Sequence, residues 1–280
     1  MAIISFWSGS QKETGQTVSI SAIATQMAVE HNYKILVIDA TFADDTMERC
    51  FWKINNKKDF AVKINKGKMD IASGADGLVS AVASNKATPE IISNFTRIVF
   101  KNRLDILCGL KTKNQEEYNK SINLYKDLLK VADKYYDIVF VDLPKTLNNE
   151  MTKTLLQFSH VIVYTFTKNL KQIDEYMENM IKHHDILKTG KVIPMLSNSD
   201  EDTVYNVKNC TRYLGEKKEI CCIPYNTSFI KNISEAGVAQ FFLTTRLSKK
   251  INDKNSYFIK KVDDAGNRII EKLRELHLRN

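Results

Sequence analysis

The sequence predicts an α/β fold in which a doubly wound, mostly parallel sheet carries helices on both faces. Short β-branched runs alternate with longer amphipathic stretches along the 280 residues, of which 43% are apolar. The runs are almost continuously apolar, as expected of strands that are covered on both faces. Neighbouring parallel strands need long crossovers, which the amphipathic stretches supply as helices. No repeat or linker rich in Pro, Gly and Ser divides the chain, so we expect one domain over residues 1–280.

Seven apolar runs are candidate strands, and the amphipathic stretches between most of them are candidate helices. The strands are predicted at residues 2–7, 34–39, 104–109, 136–142, 160–166, 191–196 and 219–225. The helices are predicted at residues 17–31, 115–134, 168–184 and 203–214, with a further helix within 74–86.

The last predicted element is an amphipathic helix over residues 261–280. Its apolar face consists of Val262, Ala265, Ile269, Leu273 and Leu276. The polar face mixes acidic and basic side chains, and the segment has no Trp or Phe, which is untypical of a helix that lies on a membrane. Packing against the sheet or against a partner is therefore the favoured interpretation.

Composition limits the classes of protein that the chain can represent. The formal charge of +8 and the pI near 9.0 are compatible with binding non-specific DNA or an anionic membrane, although the lysines are scattered as on an ordinary solvated surface. No apolar run reaches the ~20 residues of a membrane span, and the N-terminus has no signal pattern, so we expect a cytoplasmic protein without a transmembrane segment. Five cysteines without a C-x-x-C pair indicate reduced, mostly buried thiols and no metal site.

Three polar loops follow the first, second and fourth predicted strands. They read SGSQKETGQT (8–17), DATFADDT (39–46) and DLPKTLN (142–148). In a sheet of this kind, ligands bind outside the carboxyl ends of the strands. Backbone N–H groups at a helix start hold phosphates, and hydroxyl and carboxylate groups at neighbouring strand ends hold Mg²⁺. The three loops therefore predict a site for a nucleoside triphosphate and Mg²⁺.

The predicted site residues fall into two groups. Those expected to contact the nucleotide around the first loop are Ser10, Gln11, Lys12, Glu13, Thr14, Gly15, Gln16, Thr17 and Val18. Those expected to coordinate or orient Mg²⁺ are Thr17, Asp39 and Asp142. Each of the three also has a local explanation, because a threonine starts helices and an aspartate caps turns.

The order of several short motifs resembles the deviant Walker A ATPases of the MinD/ParA type. Their loop pattern K-G-G-x-G-K-[ST] falls on residues 11–17, where Gly15 and Thr17 match. YKILVIDATFADD, LDILCGL, YDIVFVDLP, MLSNSD and IPYNTSFIKNISEAG resemble five further family segments in the family's order. The resemblance implies a P-loop NTPase-like fold, ATP and Mg²⁺ as ligands, and adenine contacts from Asn198, Pro224 and Tyr225. A strand-end turn and a strand terminator explain these last residues about as well.

Several positions depart from the family's pattern. Gln16 stands at the Walker lysine and brings no charge to offset the phosphates. Gln11 stands at the signature lysine, whose role Lys12 could take, and Glu13 replaces a glycine with a negative side chain. The resemblance makes Asp39 the candidate catalytic residue, but Thr41 replaces the second aspartate of the family's D-x-D. We therefore expect weakened nucleotide affinity and inefficient hydrolysis.

Degenerate loops of this kind resemble the TadZ/CpaE-like branch of the superfamily. This resemblance implies an ATP-binding localisation or assembly factor with weak or no hydrolysis. It further implies a homodimer with protein partners in a pilus, secretion or partition machinery, recruited to membrane-associated machinery or to the cell pole. Two alternatives stay open: a ParA-type DNA partition ATPase, favoured by the +8 charge, and a pseudo-ATPase scaffold that binds no nucleotide.

Overall fold

A mixed, mostly parallel sheet forms the centre of the molecule. The computed structural model describes residues 2–10, 12–54, 74–145, 147, 150–188, 190–247 and 253–277. The strands are β1 (Ala2–Trp7), β2 (Ile35–Asp39), β3 (Arg97–Phe100), β4 (Leu104–Leu107), β5 (Ile138–Asp142), β6 (Val161–Phe166), β7 (Val192–Ser199) and β8 (Cys221–Pro224). Their spatial order is β3-β4-β2-β5-β1-β6-β7-β8. Only the pair β3 and β4 is antiparallel among the strands of this described sheet, so the predicted fold class is confirmed.

Helices cover both faces of this sheet. They are α1 (Gln16–Glu30), α2 (Thr46–Phe51), α3 (Ala75–Ala83), α4 (Gln115–Ile122), α5 (Tyr125–Ala132), α6 (Glu150–Phe158), α7 (Leu170–Lys182), α8 (Val207–Tyr213), α9 (Thr227–Ser234), α10 (Val238–Leu247) and α11 (Lys254–His277), with a 3-10 helix at Pro89–Asn94. Helices α3 to α8 pack on one face, and α1, α2, α9, α10 and α11 pack on the other. The sheet is therefore doubly wound, as the sequence predicts.

The two faces of the sheet explain why the strands are so apolar. In β1, Ile3 and Trp7 belong to one core, whereas Ala2, Ile4 and Phe6 belong to the other. Successive side chains of a strand point to opposite faces, so a strand covered on both sides needs apolar residues at both sets of positions.

Three local features differ from the sequence-based expectations. The edge strand β3 was not among the predicted strands. The helix predicted at 115–134 is divided into α4 and α5, with a turn at Asn123 and Leu124. The helix predicted at 203–214 begins only at Val207, because the Asn206 side chain caps it by accepting a hydrogen bond from the Asn209 N–H over 3.0 Å.

Helix α11 packs on the rest of the chain, which confirms the interpretation drawn from its apolar face. Val262, Ala265, Ile269 and Leu273 are buried in the core that α11 shares with α1 and β8. At Gly266 a Cβ would lie 3.0 Å from the Met27 Cγ of α1, so the missing side chain allows this close approach. Across the described residues, no helix is long and apolar enough to cross a membrane.

Four phenylalanines hold α9, α10 and α11 together. Phe229, Phe241, Phe242 and Phe258 are buried, and the Phe229 ring centroid lies 4.6 Å from that of Phe258 and 5.3 Å from that of Phe241. We call these four residues the phenylalanine cluster. Aromatic pairs at such distances add to the free energy gained by burial alone.

The cysteine side chains lie where the sequence predicts them. All five are free; Cys50, Cys108, Cys210 and Cys222 are buried and Cys221 is half-buried. Cys221 and Cys222 contact opposite cores, as expected of successive residues in a strand. Burial raises the pKa of the Cys221 thiol to about 12, so this group is a poor thiolate at neutral pH.

Candidate nucleotide-binding site

A cleft of about 350 Å³ opens at the carboxyl ends of β1, β2, β5 and β7. It is lined by Glu13, Thr14, Gly15, Gln16, Thr17, Val18, Thr41, Asp44, Thr46, Asp142, Leu143, Lys145, Asn198 and Ile230. The cleft brings together the three polar loops that the sequence predicts to form a site. Its position agrees with the general rule for ligands of α/β sheets.

The first loop depends on Gly15, which precedes α1. Gly15 has φ 67°, in the left-handed region that favours glycine. A Cβ at this position would lie 2.9 Å from the Ser197 Cβ of β7. The glycine therefore satisfies two requirements, a left-handed turn and a close approach between the loop and the neighbouring part of the sheet.

Gln16 and Thr17 both donate hydrogen bonds to Asp142. Gln16 Nε2 lies 2.6 Å from Asp142 Oδ1 and 2.8 Å from the Leu143 carbonyl oxygen, and Thr17 Oγ1 lies 2.6 Å from Asp142 Oδ2. The Gln16 side chain is buried, and a side-chain amide has two N–H donors. Both donors of Gln16 are therefore used within the protein, whereas the Thr17 oxygen keeps lone pairs that can accept or ligate.

Asp39 and Asp142 form a buried pair at the ends of adjacent strands. They are directly paired in the register of β2 and β5, and both are buried. Burial raises the pKa of Asp142 to about 6, opposed by the hydrogen bonds from Thr17 and Gln16. Burial and then the charge of Asp142 raise the pKa of Asp39 to about 8, although its Oδ1 accepts hydrogen bonds from the N–H and hydroxyl of Thr41. The buried pair therefore retains a proton to higher pH than two isolated carboxyl groups would.

Replacing Asp39 by asparagine should make the protein more stable at alkaline pH in the absence of nucleotide and Mg²⁺. The folded-state pKa of Asp39 is raised from 3.8 to about 8, so its protonated form contributes stability that is complete at low pH and is lost over this interval. Asparagine keeps the acceptor for Thr41 and cannot ionise. We expect the free energy of unfolding of Asp39→Asn, measured by urea denaturation at about pH 8, to exceed that of the wild type by ~2 kcal/mol or more.

Asp44 provides the matched control for this experiment. Its Oδ1 accepts hydrogen bonds from the N–H and hydroxyl of Thr46, as Asp39 does from Thr41, but Asp44 is exposed. We expect Asp44→Asn to change the free energy of unfolding by less than ~0.5 kcal/mol at the same pH. If the free energies of unfolding of the wild type and of Asp39→Asn changed with pH in the same way, the raised pKa of Asp39 would be contradicted.

The charge that lines the cleft is mostly negative. Glu13, Asp44 and Asp142 are acidic, and Lys145 is the one basic side chain among the described residues that line it. Lys145 follows the Asp142-Leu143-Pro144 strand end and was not among the predicted site residues. Its place three residues after a strand-end aspartate was the available signal. Ile230 of α9 also lines the cleft and was likewise not predicted.

Two buried polar atoms beside the cleft have no hydrogen-bond partner within the described structure. They are Thr14 Oγ1 and Gln16 Oε1. Buried polar atoms are usually satisfied by protein, water or ligand. The loop itself is held in place, because the buried Gln172 of α7 donates through Nε2 to the Glu13 carbonyl oxygen over 3.3 Å.

The other predicted site residues are more dispersed. Asn198 lines the cleft with φ 52°, at a register shift in β7 between Ser197 and Ser199. The residues that do not line it are Ser10, Lys12, Asp39, Pro224 and Tyr225. Pro224 is buried at the end of β8 and Tyr225 is exposed, whereas Gln11 lies outside the described residues. Their roles in nucleotide binding stay predictions.

The donor set fits Mg²⁺ together with phosphate oxygens better than it fits a metal ion alone. Among the described residues, no three His, Cys, Asp or Glu side chains are grouped to hold a metal ion. Thr17 Oγ1 donates its proton to Asp142 and so directs lone pairs elsewhere, while both Asp142 oxygens accept hydrogen bonds. This arrangement suits a direct hydroxyl ligand and a carboxylate that acts through water. The left-handed Gly15 and the unpartnered Thr14 hydroxyl fit a phosphate group nearby.

Comparison with known proteins gives structural neighbours only. No family model matches the chain, and no curated protein matches it in sequence. A ParA family ATPase from Chlorobium tepidum superposes with a TM-score of 0.70 at 13% identity, covering 95% of this chain and 98% of that one. The septum site-determining protein MinD with Mg-ADP from Pyrococcus horikoshii gives 0.63 at 14% identity, covering 94% and 95%. A plasmid partition protein from Borrelia burgdorferi gives 0.54 at 18% identity, covering 87% and 98%.

Each of these neighbours is below 25% identical to the chain, so the likeness concerns the fold. It extends over nearly all of this chain and nearly all of the two proteins with the higher TM-scores. The chain therefore has the P-loop NTPase-like fold of the ParA and MinD ATPases.

Proposed function

We propose that the chain is an atypical ATP-binding protein of the ParA/MinD type, a localisation or assembly factor with weak or no ATP hydrolysis. The observation that carries the proposal is the set of hydrogen bonds from Gln16 and Thr17 to Asp142. This set retains a hydroxyl and a carboxylate suited to Mg²⁺, but the residue at the Walker lysine position is an uncharged amide whose donors are both used.

The residues of the chain have separate roles in this proposal. The turn at Gly15 directs the start of α1 toward the phosphates, where backbone N–H groups and the helix dipole attract negative charge. Thr17 and Asp142 hold Mg²⁺, which when bound neutralises part of the phosphate charge. Asn198 and Ile230 line the cleft, and we assign them to the base as a polar contact and an apolar wall. The Pro224–Tyr225 segment does not line the cleft, so its contact with the base rests on the family resemblance alone.

Slow hydrolysis is expected from the surroundings of Asp39. Asp39 is buried, and its Oδ1 already accepts hydrogen bonds from the N–H and hydroxyl of Thr41, so this oxygen is poorly placed to take a proton from an attacking water. The nearby Thr41 hydroxyl donates to the same carboxyl oxygen and is no base. We therefore assign Asp39 to binding and orientation and propose little turnover.

The cellular role extends the resemblance to the TadZ/CpaE-like branch. We propose a homodimer in the cytoplasm that is recruited by protein partners of a pilus, secretion or partition machinery, at the membrane or at the cell pole. The neighbours with a ParA or MinD fold support a positioning role in general, and fold analogy is the basis for transferring it.

Calorimetric titration with ATP in the presence of Mg²⁺ tests the proposed site. We expect micromolar binding by the wild type and at least ~10-fold weaker binding by Thr17→Ala and Asp142→Asn, since each loses a group that holds the metal. Thr244→Ala on α10 is the control, because its hydroxyl bonds only helix carbonyls and its side chain is exposed. Phosphate release should stay below ~1 turnover per minute, against typical kcat values of ~1–10³ per second.

The result also separates the alternatives. No heat from folded wild-type protein at millimolar ATP would leave the pseudo-ATPase scaffold as the remaining interpretation. Equal binding by the wild type and both variants would show that ATP binds elsewhere. Rapid, Mg²⁺-dependent phosphate release would contradict the proposed lack of turnover.

A DNA partition ATPase is the second candidate, and the formal charge of +8 favours it. Such a protein binds duplex DNA without sequence preference and loses affinity steeply as salt rises, because counterions are released on binding. Binding to two unrelated duplexes at about 50 mM and about 200 mM salt distinguishes this candidate from the first. A DNA affinity that does not depend on salt, or no DNA binding at either salt concentration, would exclude the DNA partition ATPase.

A further inference from the structure

Among the described residues, no basic side chain at the start of α1 lines the cleft. Gln16 Nε2 donates to Asp142 Oδ1 and to the Leu143 carbonyl oxygen, so a phosphate could recruit this amide only by breaking one of these bonds. The breakage would leave a buried acceptor without a hydrogen bond, which opposes this exchange. A triphosphate also brings several negative charges into a cleft that already contains Glu13, Asp44 and Asp142.

Lys145 is the basic side chain that the fold brings to this cleft. It is half-buried and lines the same cavity as Gly15, Gln16 and Thr17. It lies three residues after Asp142, the carboxylate that accepts hydrogen bonds from Gln16 and Thr17. None of the other described lining residues is basic.

The strand end that leads to Lys145 is held by two hydrogen bonds of the Leu143 backbone. The Leu143 N–H donates to the Phe6 carbonyl oxygen over 3.1 Å, and the Leu143 carbonyl accepts the bond from Gln16. Pro144 follows with its restricted φ. Gln16 therefore holds the backbone two residues before Lys145, at the strand end that leads into the cleft.

We propose that Lys145 supplies the phosphate-binding positive charge that residue 16 lacks, so that the cation of this nucleotide site is carried by the strand end after β5 instead of by the start of α1. The inference rests on the proposed function, because it names the residue whose positive charge favours ATP binding in an acidic cleft. Lys145 is a binding residue for a polyphosphate group and has no role in recognising the base.

Ligands with different numbers of phosphates test this role. ATP, ADP and adenosine are titrated into the wild type, Lys145→Gln and Lys145→Arg in the presence of Mg²⁺. For ATP we expect Lys145→Gln to bind ~10–100-fold more weakly and Lys145→Arg to stay within ~3-fold of the wild type, because arginine restores a charge-assisted hydrogen bond. The loss should be smaller for ADP and absent for adenosine, which carries no phosphate.

Two further lysine variants make the experiment specific. Lys130→Gln removes the same charge from an exposed position on α5, where Lys130 pairs with Asp127, and should leave ATP affinity unchanged within ~2-fold. Lys12→Gln tests the competing candidate in the first loop. Thermal denaturation of every variant without ligand checks that the fold is retained.

Each outcome has a defined meaning. If the wild type binds ATP and Lys145→Gln binds it equally well, the inference is wrong while the proposed function stands. A loss in Lys12→Gln in place of Lys145→Gln moves the cation to the first loop and overturns the inference. Equal losses for ATP and adenosine show a structural effect and also overturn it. No ATP binding by the folded wild type removes both the inference and the proposed function.

Discussion

Replacing Phe229 by alanine should lower the free energy of unfolding by ~3–5 kcal/mol, the range for large buried aromatic residues. Phe229 is 1% exposed and its ring contacts Phe241, Phe242 and Phe258, so its removal leaves a cavity at the centre of the phenylalanine cluster. The next residue, Ile230, lines the cleft. We therefore expect weaker ATP binding as well, because this wall of the cleft loses its anchor.

Urea denaturation followed by circular dichroism measures the loss of stability. Leu243→Ala is the control, since Leu243 lies on α10 beside Phe242 but is 39% exposed. We expect it to cost less than ~1 kcal/mol, with the same dependence of unfolding on urea. A loss below ~1.5 kcal/mol for Phe229→Ala would mean that α9 repacks without this ring and that the cluster contributes little.

Replacing Gly15 by alanine should lower the free energy of unfolding by ~2–4 kcal/mol and abolish ATP binding. The left-handed backbone of Gly15 costs an L-residue ~1–2 kcal/mol. The new Cβ would also lie 2.9 Å from Ser197 Cβ, and relieving such overpacking adds ~1–3 kcal/mol. Because the loop must move away from β7, both the phosphate-binding turn and the side chain of Thr17 would be displaced.

Gly215 separates these two costs. It has the same φ of 67°, but a Cβ there would meet no atom within 4 Å. Gly215→Ala should therefore show the backbone cost alone, ~1–2 kcal/mol, with ATP affinity unchanged. If Gly15→Ala and Gly215→Ala lowered the free energy of unfolding equally, Ser197 would move aside at little cost. The close contact at Gly15 would then not be required.

The sequence was sufficient for the main architecture because strands buried on both faces are long apolar runs. It was insufficient for β3, whose four residues RIVF form an antiparallel edge with Arg97 and Ile98 exposed. It also did not show the division between α4 and α5. Tyr118, Ile122, Tyr125 and Leu129 continue a helical spacing across the turn, so the apolar periodicity gives no sign of it.

The loops of the site were predictable, but the directions of their side chains were not. Strand ends gather at one edge of a parallel sheet, which is why Thr17 and Asp142 were expected together. The bond from Gln16 to Asp142 joins residues 126 positions apart, and the sequence leaves open whether this amide faces phosphate or protein. The family resemblance predicted site residues only at positions that match a family motif, and Lys145 was not among them.

At the register shift near the end of β7, the residue that lines the cleft is not one of the residues that pair with β8. Ser197 and Ser199 pair with Ile223 and Pro224 of β8, while Asn198 is the extra residue between them and lines the cleft. If Asn198 contacts the ligand as proposed, a substitution at this position would change what the cleft recognises without shifting the pairing of the two strands. Its left-handed φ of 52° limits the practical choices to asparagine, aspartate and glycine. Under the proposed role of Asn198, the ligand preference of this chain would therefore change through single substitutions at one position, within a short list of residues, while the sheet stays as it is.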